Sequence, residues 1–344
     1  MKRFLDQVVE NLFPGYFSLV MATGIISVAA YRLEMRAIAW TLLVINIAAY
    51  AILWLLTLLR LARFLPRVLS DLTNHLRGPG FFTLVAGTCV LGSQLVIITG
   101  SFTVALFLWL CGLALWLLIM YAFFTAVIIR EEKPALETGI NGAWLIAAVA
   151  TQSISVLGTL LAPQFNAGRE PLLFFTLSMY LIGCMLYLSI ITLIFYRLTF
   201  IRLTVEELTP PYWINMGAVA ITTLAGATLI LSAPQWLFLR ELLPFLMGFT
   251  LLFWAAGTWW IPLLLILGVW RHIYKRFPLT YDPQYWGMVF PLGMYTASTF
   301  QLSKATGLSF LLNIPRFFVY IALLVWLAAF VGLIRSMVSR SSPA

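Results

Sequence analysis

The sequence predicts an all-α protein that crosses a membrane many times, and three observations support this prediction. Of the 344 residues, 62% are hydrophobic and only 10% are charged, whereas soluble domains carry roughly a quarter charged residues. Apolar runs of about 20 residues recur along the chain, which is the length that a helix needs to cross a bilayer core of ~30 Å. The linkers between the runs are short and leave no room for a soluble domain.

Ten spans follow one another, and we expect them to form a single transmembrane domain over residues 1–344. The predicted spans are 15–33, 37–62, 80–99, 102–129, 142–162, 171–198, 212–233, 242–270, 285–303 and 313–335. Taken in pairs they form five helical hairpins, approximately 15–62, 80–129, 142–198, 212–270 and 285–335. Before the first span, Asp6 and Glu10 interrupt what would be the apolar part of a signal peptide, so residues 1–12 are predicted to be an amphipathic segment at the membrane surface.

The basic residues predict the orientation of the chain. Most of the 21 Lys and Arg residues lie in the terminal segments and in the linkers that follow even-numbered spans. The positive-inside rule assigns that side to the cytoplasm. Both termini are therefore predicted to be cytoplasmic, in a plasma or inner membrane, and most of the net charge of +9 reports orientation and says little about a substrate.

The odd-numbered spans repeat one design, once per hairpin. Each begins with aromatic residues and continues into Ala, Gly, Ser and Thr, as in Gly15–Ser27 and Gly80–Gly92. Even-numbered spans such as Trp40–Leu59 are richer in large apolar residues, which suits helices that face lipid.

Small residues in the odd spans suit either close helix packing or an inner ring around a pathway. We favour the ring because the odd spans contain many hydroxyl and amide side chains, which a wet cavity would satisfy. The residues predicted to line it are Thr23, Gly24, Thr88, Thr151, Gln152, Thr222, Thr223, Thr296 and Ser298.

The distribution of charged residues limits the classes of ion that such a pathway would carry. None of the 12 acidic residues falls well inside a span, whereas proton-coupled carriers and cation channels usually need buried carboxylates. A neutral lining of hydroxyls and amides tolerates an anion better than a cation, although hydroxyls also accept hydrogen bonds and leave the sign open.

An enzyme is a third class of function. The spans contain no His, Asp or Glu to activate a Ser or Thr nucleophile, which leaves only a lipid-modifying enzyme that uses His75 or Asp71 at the surface. The three cysteines lie in apolar runs, and the two histidines are too few for a metal site. We therefore predict that the protein is not an enzyme, has no metal or other cofactor and has no nucleic-acid partner.

Two segments carry a resemblance to a known family. Tyr16–Gly24 reads YFSLVMATG and Trp286–Leu292 reads WGMVFPL. Together with the number of spans and the hairpin repeat, they resemble the tellurite-resistance/dicarboxylate transporter family, which includes fungal malate permeases, sulfite exporters and the slow-type anion channel of plant guard cells. The resemblance covers nearly the whole chain. It implies five hairpins about a quasi-fivefold axis, odd-numbered helices that line a central pore, and a homotrimer in which each subunit has its own pore.

The resemblance also implies that a phenylalanine in the ninth span occludes the pore, and the matching residue is Phe290. The next residue, Pro291, has no N–H, so a carbonyl near Gly287 loses its partner and the helix can bend there. Such a bend would hold the Phe290 ring in the lumen. Inner helices of the family are often kinked by proline, whereas here only the ninth inner span contains an internal proline.

The sequence thus predicts a gated channel or passive transporter for small inorganic or carboxylate anions. The alternative is a coupled exporter or importer of C4-dicarboxylates such as malate, of sulfite or of tellurite.

Overall fold

The chain is built from long helices. The computed structural model describes residues 2–341, and this range contains helices and short helical turns but no β-strand. We number the ten long helices α1 to α10, and their bounds are Pro14–Arg32, Arg36–Arg63, Gly78–Thr99, Phe102–Ile129, Gly142–Gln164, Arg169–Phe200, Pro210–Gln235, Leu243–Tyr274, Trp286–Thr306 and Ser309–Val338. The prediction of an all-α polytopic membrane protein is confirmed.

The long helices differ in how apolar they are. Within residues 2–341, nine of them, α1 to α8 and α10, are long and apolar enough to cross a membrane. The helix α9 has 21 residues, and its C-terminal half carries Thr, Ser, Gln and Lys side chains that make it less apolar. It nevertheless buries most of its length, from Trp286 to Ser303.

Each odd-numbered helix begins with, or is preceded by, a short 3₁₀ turn that contains glycine or proline. These turns are Pro14–Phe17, Gly78–Phe81, Gly142–Leu145, Pro210–Trp213 and Pro283–Tyr285. Proline suits the first turn of a helix because its φ is already helical and the N–H that it lacks would have no partner there. The aromatic residues that open each odd span in the sequence lie in these turns or, like Phe82 and Trp286, directly after them.

The odd-numbered helices form a closed ring. In the order α1, α3, α5, α7 and α9, each packs against the next, and α9 packs against α1. In the most apolar stretch of α1, α3, α5 and α7, between 78% and 94% of the residues are buried, against 22% to 44% in the even-numbered helices. The small residues of the odd spans allow this close approach of five backbones.

The even-numbered helices lie outside the ring. Each packs against the inner helix that precedes it, so that consecutive helices form hairpins. Their outer faces expose large apolar side chains such as Val44, Phe107, Leu118, Ile266 and Leu324. Such a surface is stable in hydrocarbon and would be costly in water.

A short helix precedes the bundle at Lys2–Glu10. Its carboxylates pair with the C-terminal end of α2 and the segment after it, Asp6 with Arg63 at 2.8 Å and Glu10 with Arg67 at 3.2 Å. The predicted amphipathic segment is therefore a helix held against α2, and Met1 lies outside the described residues.

Candidate functional site

Two narrow cavities follow one another inside the ring of inner helices, and residues from all five helices line each of them. We call them the N-terminal cavity and the C-terminal cavity, after the ends of the inner helices nearest to them. Each offers about 40 Å³ to the centres of water molecules. One water needs roughly 10–15 Å³ by this measure, so each cavity holds only a few waters.

The lining residues follow one helical face in every inner helix. In α1 they are Gly15, Ser18, Met21, Ile25, Val28 and Arg32. In α9 and the turn before it they are Gln284, Gly287, Phe290, Met294, Ala297 and Gln301. Steps of three and four residues keep side chains on one side of a helix. The other three inner helices keep the same register, so the five run parallel and their lining residues form successive rings.

The two cavities meet at the ring that contains Phe290. Met21, Val149 and Phe290 are the last residues of the N-terminal cavity, while the matching positions in α3 and α7 are Ala86 and Gly217, which line neither cavity. Phe290 is the bulkiest side chain at this level and is only 1% exposed. Ala86 and Gly217 are the two smallest residues of the same ring.

Pro291 lies against the neighbouring helix α7. A Cβ atom added to Gly217 would lie 2.7 Å from Cγ of Pro291, which is closer than carbon atoms approach. The absence of a side chain at Gly217 therefore lets α9 lie directly on α7 beside the Phe290 ring. Of the predicted hinge residues, Gly287 lines the N-terminal cavity and Pro291 forms this contact.

The lining is mainly apolar, and its polar groups are few. Ser93, Ser153 and Thr228 line the C-terminal cavity, but each donates its hydroxyl proton to a carbonyl of its own helix at 2.7–3.0 Å. Their oxygens remain as acceptors. Among the residues lining the two cavities, Arg32 alone is charged, and none is acidic.

The nine residues predicted to line the pathway lie elsewhere on the inner helices, and none of them lines either cavity. Thr23, Thr88 and Thr151 hydrogen-bond to Trp326, Tyr50 and Trp116 of the outer helices at 2.8–3.1 Å. The other six are Gly24, which faces Asn46 and Gln94; Gln152, which donates to the Tyr180 carbonyl; and Thr222, Thr223, Thr296 and Ser298, which donate to carbonyls of their own helices. Their pore-lining role stays a prediction, and their contacts are those of helix packing.

Sequence reasoning missed the apolar rings and the two polar residues Arg32 and Gln301. The signal that identifies them is the register of the five repeats. Once Gly15, Gly80, Ala143, Pro211 and Gln284 are aligned, steps of three and four residues from each lead to the lining. Composition alone selects the hydroxyls instead.

A wider vestibule of about 550 Å³ continues the N-terminal cavity. Its two cations are paired: Arg77 donates to Asp71 at 3.1 Å, and Arg197 lies 3.6 Å from Glu207. A hydrogen bond from the Thr204 N–H holds the pKa of Glu207 below its usual range, so its carboxylate is ionised at neutral pH. Asp71 is also paired with Arg60 at 2.7 Å, so its carboxylate is engaged by two arginines and is not available as the base of a lipid-modifying enzyme.

Comparison with known protein families identifies the family of the chain. Residues 11–334 match the SLAC1 family, described as voltage-dependent anion channels. The chain belongs to the SLAC1 family. The resemblance seen in the sequence is confirmed, and this SLAC1 chain is a multi-pass membrane protein that acts as an anion channel or transporter.

Several relatives of this SLAC1 chain are similar over long stretches. An uncharacterized membrane protein of Mycobacterium tuberculosis is 38% identical over 154 residues, which is 44% of this chain and 77% of that protein. An uncharacterized transporter of Methanocaldococcus jannaschii is 23% identical over 309 residues, 88% of each chain. A sulfite efflux pump of Trichophyton rubrum is 22% identical over 347 residues, 94% of this chain and 90% of the pump. The family and these names indicate transporters or channels and not enzymes.

Proposed function

We propose that this chain forms a gated pathway for small anions through the ring of inner helices, with Phe290 as the gate. One observation carries the proposal: two cavities, each lined by all five inner helices, meet at the ring that contains Phe290. A buried phenyl group between two narrow cavities blocks the path of an ion by its bulk. A change of its rotamer would join the cavities into one pathway.

The apolar rings support a closed state in this conformation. Ile25, Val90, Ile221 and Met294 form the ring next to Phe290 on its C-terminal side, and the fifth member, Ser153, donates its hydroxyl proton to the Ala150 carbonyl. A narrow apolar constriction disfavours water and therefore ions, which is how hydrophobic gates close. Opening requires the ring to move and the constriction to become hydrated.

The electrostatics support an anion over a cation. Five parallel inner helices direct their N-termini, each equivalent to about half a positive charge, toward the N-terminal cavity. The lining of both cavities has no carboxylate to attract a cation and one arginine to repel it. The helix N-termini lower the energy of an anion in the N-terminal cavity, the arginine lowers it in the C-terminal cavity, and both raise the energy of a cation there.

The experiment that tests the proposal is anion current through membranes that contain the wild type or Phe290→Ala. We expect little current from the wild type and a large nitrate or chloride current from the variant, because removing the phenyl group joins the cavities. The control is Phe300→Ala, on the same helix but outside both cavities, which should behave as the wild type. A folded, membrane-inserted Phe290→Ala protein that stays silent would exclude Phe290 as the gate.

A coupled carrier is the second candidate, because one relative is a sulfite efflux pump that aligns over most of this chain. The carrier would take sulfite or tellurite or, as the family resemblance suggests, a C4-dicarboxylate such as malate. Strict dependence of flux on a proton gradient would support it, and a current above the turnover of a carrier would exclude it. The two cavities have no acidic lining residue to carry a coupling proton, which favours the passive pathway.

We further propose that the chain lies in a plasma or inner membrane with both termini in the cytoplasm, and that it assembles as a homotrimer. The distribution of basic residues supports the orientation. The family resemblance supports the trimer, with one pathway in each subunit.

A further inference from the structure

Arg32 is the last residue of α1 and lines the C-terminal cavity at its mouth. Its side chain is half-buried, and it has neither an ion pair nor a hydrogen bond within residues 2–341. Desolvating a guanidinium without a counter-charge costs free energy. An unpaired arginine at the mouth of an ion pathway therefore needs an explanation.

Three arginines that line the vestibule or lie close to Arg32 along the chain contrast with it. In the vestibule Arg77 pairs with Asp71, and Arg197 pairs with Glu207. Just beyond Arg32, Arg36 is exposed and lies 3.4 Å from Glu34. Their charges are largely neutralised by these carboxylates, whereas the charge of Arg32 is directed at the cavity.

A second donor lies in the same ring as Arg32. Gln301, on the adjacent helix α9, lines the same cavity and has no hydrogen-bond partner in the described part of the chain. The remaining members of the ring are Ile97, Leu160 and Thr228, and the Thr228 hydroxyl donates its proton to the Leu224 carbonyl. The free donors at this mouth are thus one guanidinium and one amide.

The parallel helices make a positive charge necessary here. Their five C-termini point toward this mouth, and each carries about half a negative charge. An anion at this end is repelled unless a cation compensates. Arg32 is the cationic residue that the lining supplies.

We propose that Arg32 and Gln301 form an anion-binding site at the C-terminal mouth, selective for small oxyanions such as nitrate, sulfite or a carboxylate. A guanidinium presents two parallel N–H groups that match two oxygens of one anion, and the amide adds a further donor. A halide cannot use this fork in the same way. The site deepens the proposed function, since it assigns the entry or exit point of the same pathway and its preference among anions.

A purely structural role for Arg32 makes a different prediction. Arginine in the last turn of a helix interacts favourably with the terminal carbonyls. If that were its whole role, removing the charge would lower stability and leave anion binding unchanged. Binding and conduction must therefore be measured together with folding.

The conduction test uses Phe290→Ala as the open background and compares nitrate with chloride currents. Adding Arg32→Gln should raise the half-saturating nitrate concentration about tenfold, equivalent to about 1.4 kcal/mol, and should raise that for chloride less. Arg32→Lys keeps the charge but loses the fork, so it should retain the current and lose the nitrate preference. The matched control is Arg36→Gln, which removes the same charge from a paired, exposed position near this mouth. It should change neither the half-saturating concentrations nor the nitrate preference.

The binding test needs no current. Nitrate should raise the melting temperature of the purified wild type by mass action, and should do so less for Arg32→Gln, at constant ionic strength set with a bulky anion. If Phe290→Ala carries no current, Phe290 is not the gate, but the thermal shift still tests the Arg32 and Gln301 site. If Arg32→Gln and Arg36→Gln give the same nitrate response in both measurements, the site is overturned and the gate is unaffected.

Discussion

At the residue scale, the contact between Gly217 and Pro291 lets α9 pack closely on α7 next to Phe290. Gly217 occupies the same level of α7 that Phe290 occupies in α9, and the ring of Pro291 lies where a Gly217 side chain would be. Both residues immediately adjoin the proposed gate. A single methyl group at Gly217 is therefore enough to displace α9.

Gly217→Ala should destabilise the protein by about 1–3 kcal/mol, the usual cost of overpacking a close-packed site. The added Cβ would lie 2.7 Å from Cγ of Pro291 and 3.3 Å from its Cα, so backbone as well as side chain must shift. Thermal unfolding in detergent measures the loss. The control is Gly248→Ala on α8, where an added Cβ meets nothing within 4 Å. Equal melting temperatures for the two variants would show that α9 is not held by this contact.

At the element scale, aromatic residues of the outer helices connect each hairpin to the next. A Trp or Tyr on every even-numbered helix hydrogen-bonds to the inner helix that follows it, and α10 closes the circle onto α1. These aromatic contacts are Tyr50 with Thr88, Trp116 with Thr151, Tyr187 with the Asn215 carbonyl, Trp254 with Thr299, and Trp326 with Thr23. In hydrocarbon each bond also spares a polar group from being unsatisfied.

The aromatic contacts explain the threonine that occupies one position of the repeat in α1, α3 and α5. Thr88 and Thr151 donate their own protons to the carbonyl four residues earlier, and so accept from the outer aromatic residue. In α7 the matching position is Val219, and the hydroxyl of Tyr187 reaches the carbonyl of Asn215, four residues earlier, at 3.4 Å. The register is the same although the residue differs.

A double-mutant cycle tests one of the aromatic contacts. Trp116→Phe and Thr151→Val should each destabilise the protein, and together they should cost less than the sum of the two, with a coupling of about 0.5–1 kcal/mol. Unfolding in mixed detergent measures each free energy. Trp40→Phe is the control, since Trp40 is 47% exposed on the outer face of α2. Additive effects of Trp116→Phe and Thr151→Val would mean that the contact contributes no stability.

The contrast between fold and lining shows what the sequence can and cannot predict here. The spans follow from length and hydropathy, so predicted and observed helices agree within a few residues; 171–198, for example, corresponds to Arg169–Phe200. The lining does not follow from composition, because the sequence does not distinguish a threonine that accepts a hydrogen bond from Trp116 from one that faces water. Arg32 looks like an ordinary flanking charge until the five repeats are aligned and its ring is identified.

At the scale of the whole molecule, the parallel arrangement of the inner helices gives the protein two electrically different ends. The N-terminal end combines five positive helix ends with a vestibule that is lined by two arginines, each paired with a carboxylate, and by the further carboxylates of Glu137 and Asp282. The C-terminal end combines five negative helix ends with the unpaired Arg32. Which end faces the cytoplasm decides from which side an anion meets Arg32. The distribution of Lys and Arg predicts that the N-terminal end is cytoplasmic.

Cysteine labelling on the two faces tests this orientation. Lys133 lies in the linker between α4 and α5, at the N-terminal end of the inner helices, and Asn166 lies between α5 and α6 at the other end; both are exposed. In intact cells a membrane-impermeant maleimide should label Asn166→Cys, and it should label Lys133→Cys only after the membrane is opened. The native Cys89 and Cys184 are buried, and Cys111 lies within α4, so the unsubstituted protein is the background control. The reverse labelling pattern would show that the orientation is opposite to the predicted one, with the C-terminal ends of the inner helices in the cytoplasm. Anions leaving the cytoplasm would then meet Arg32 first.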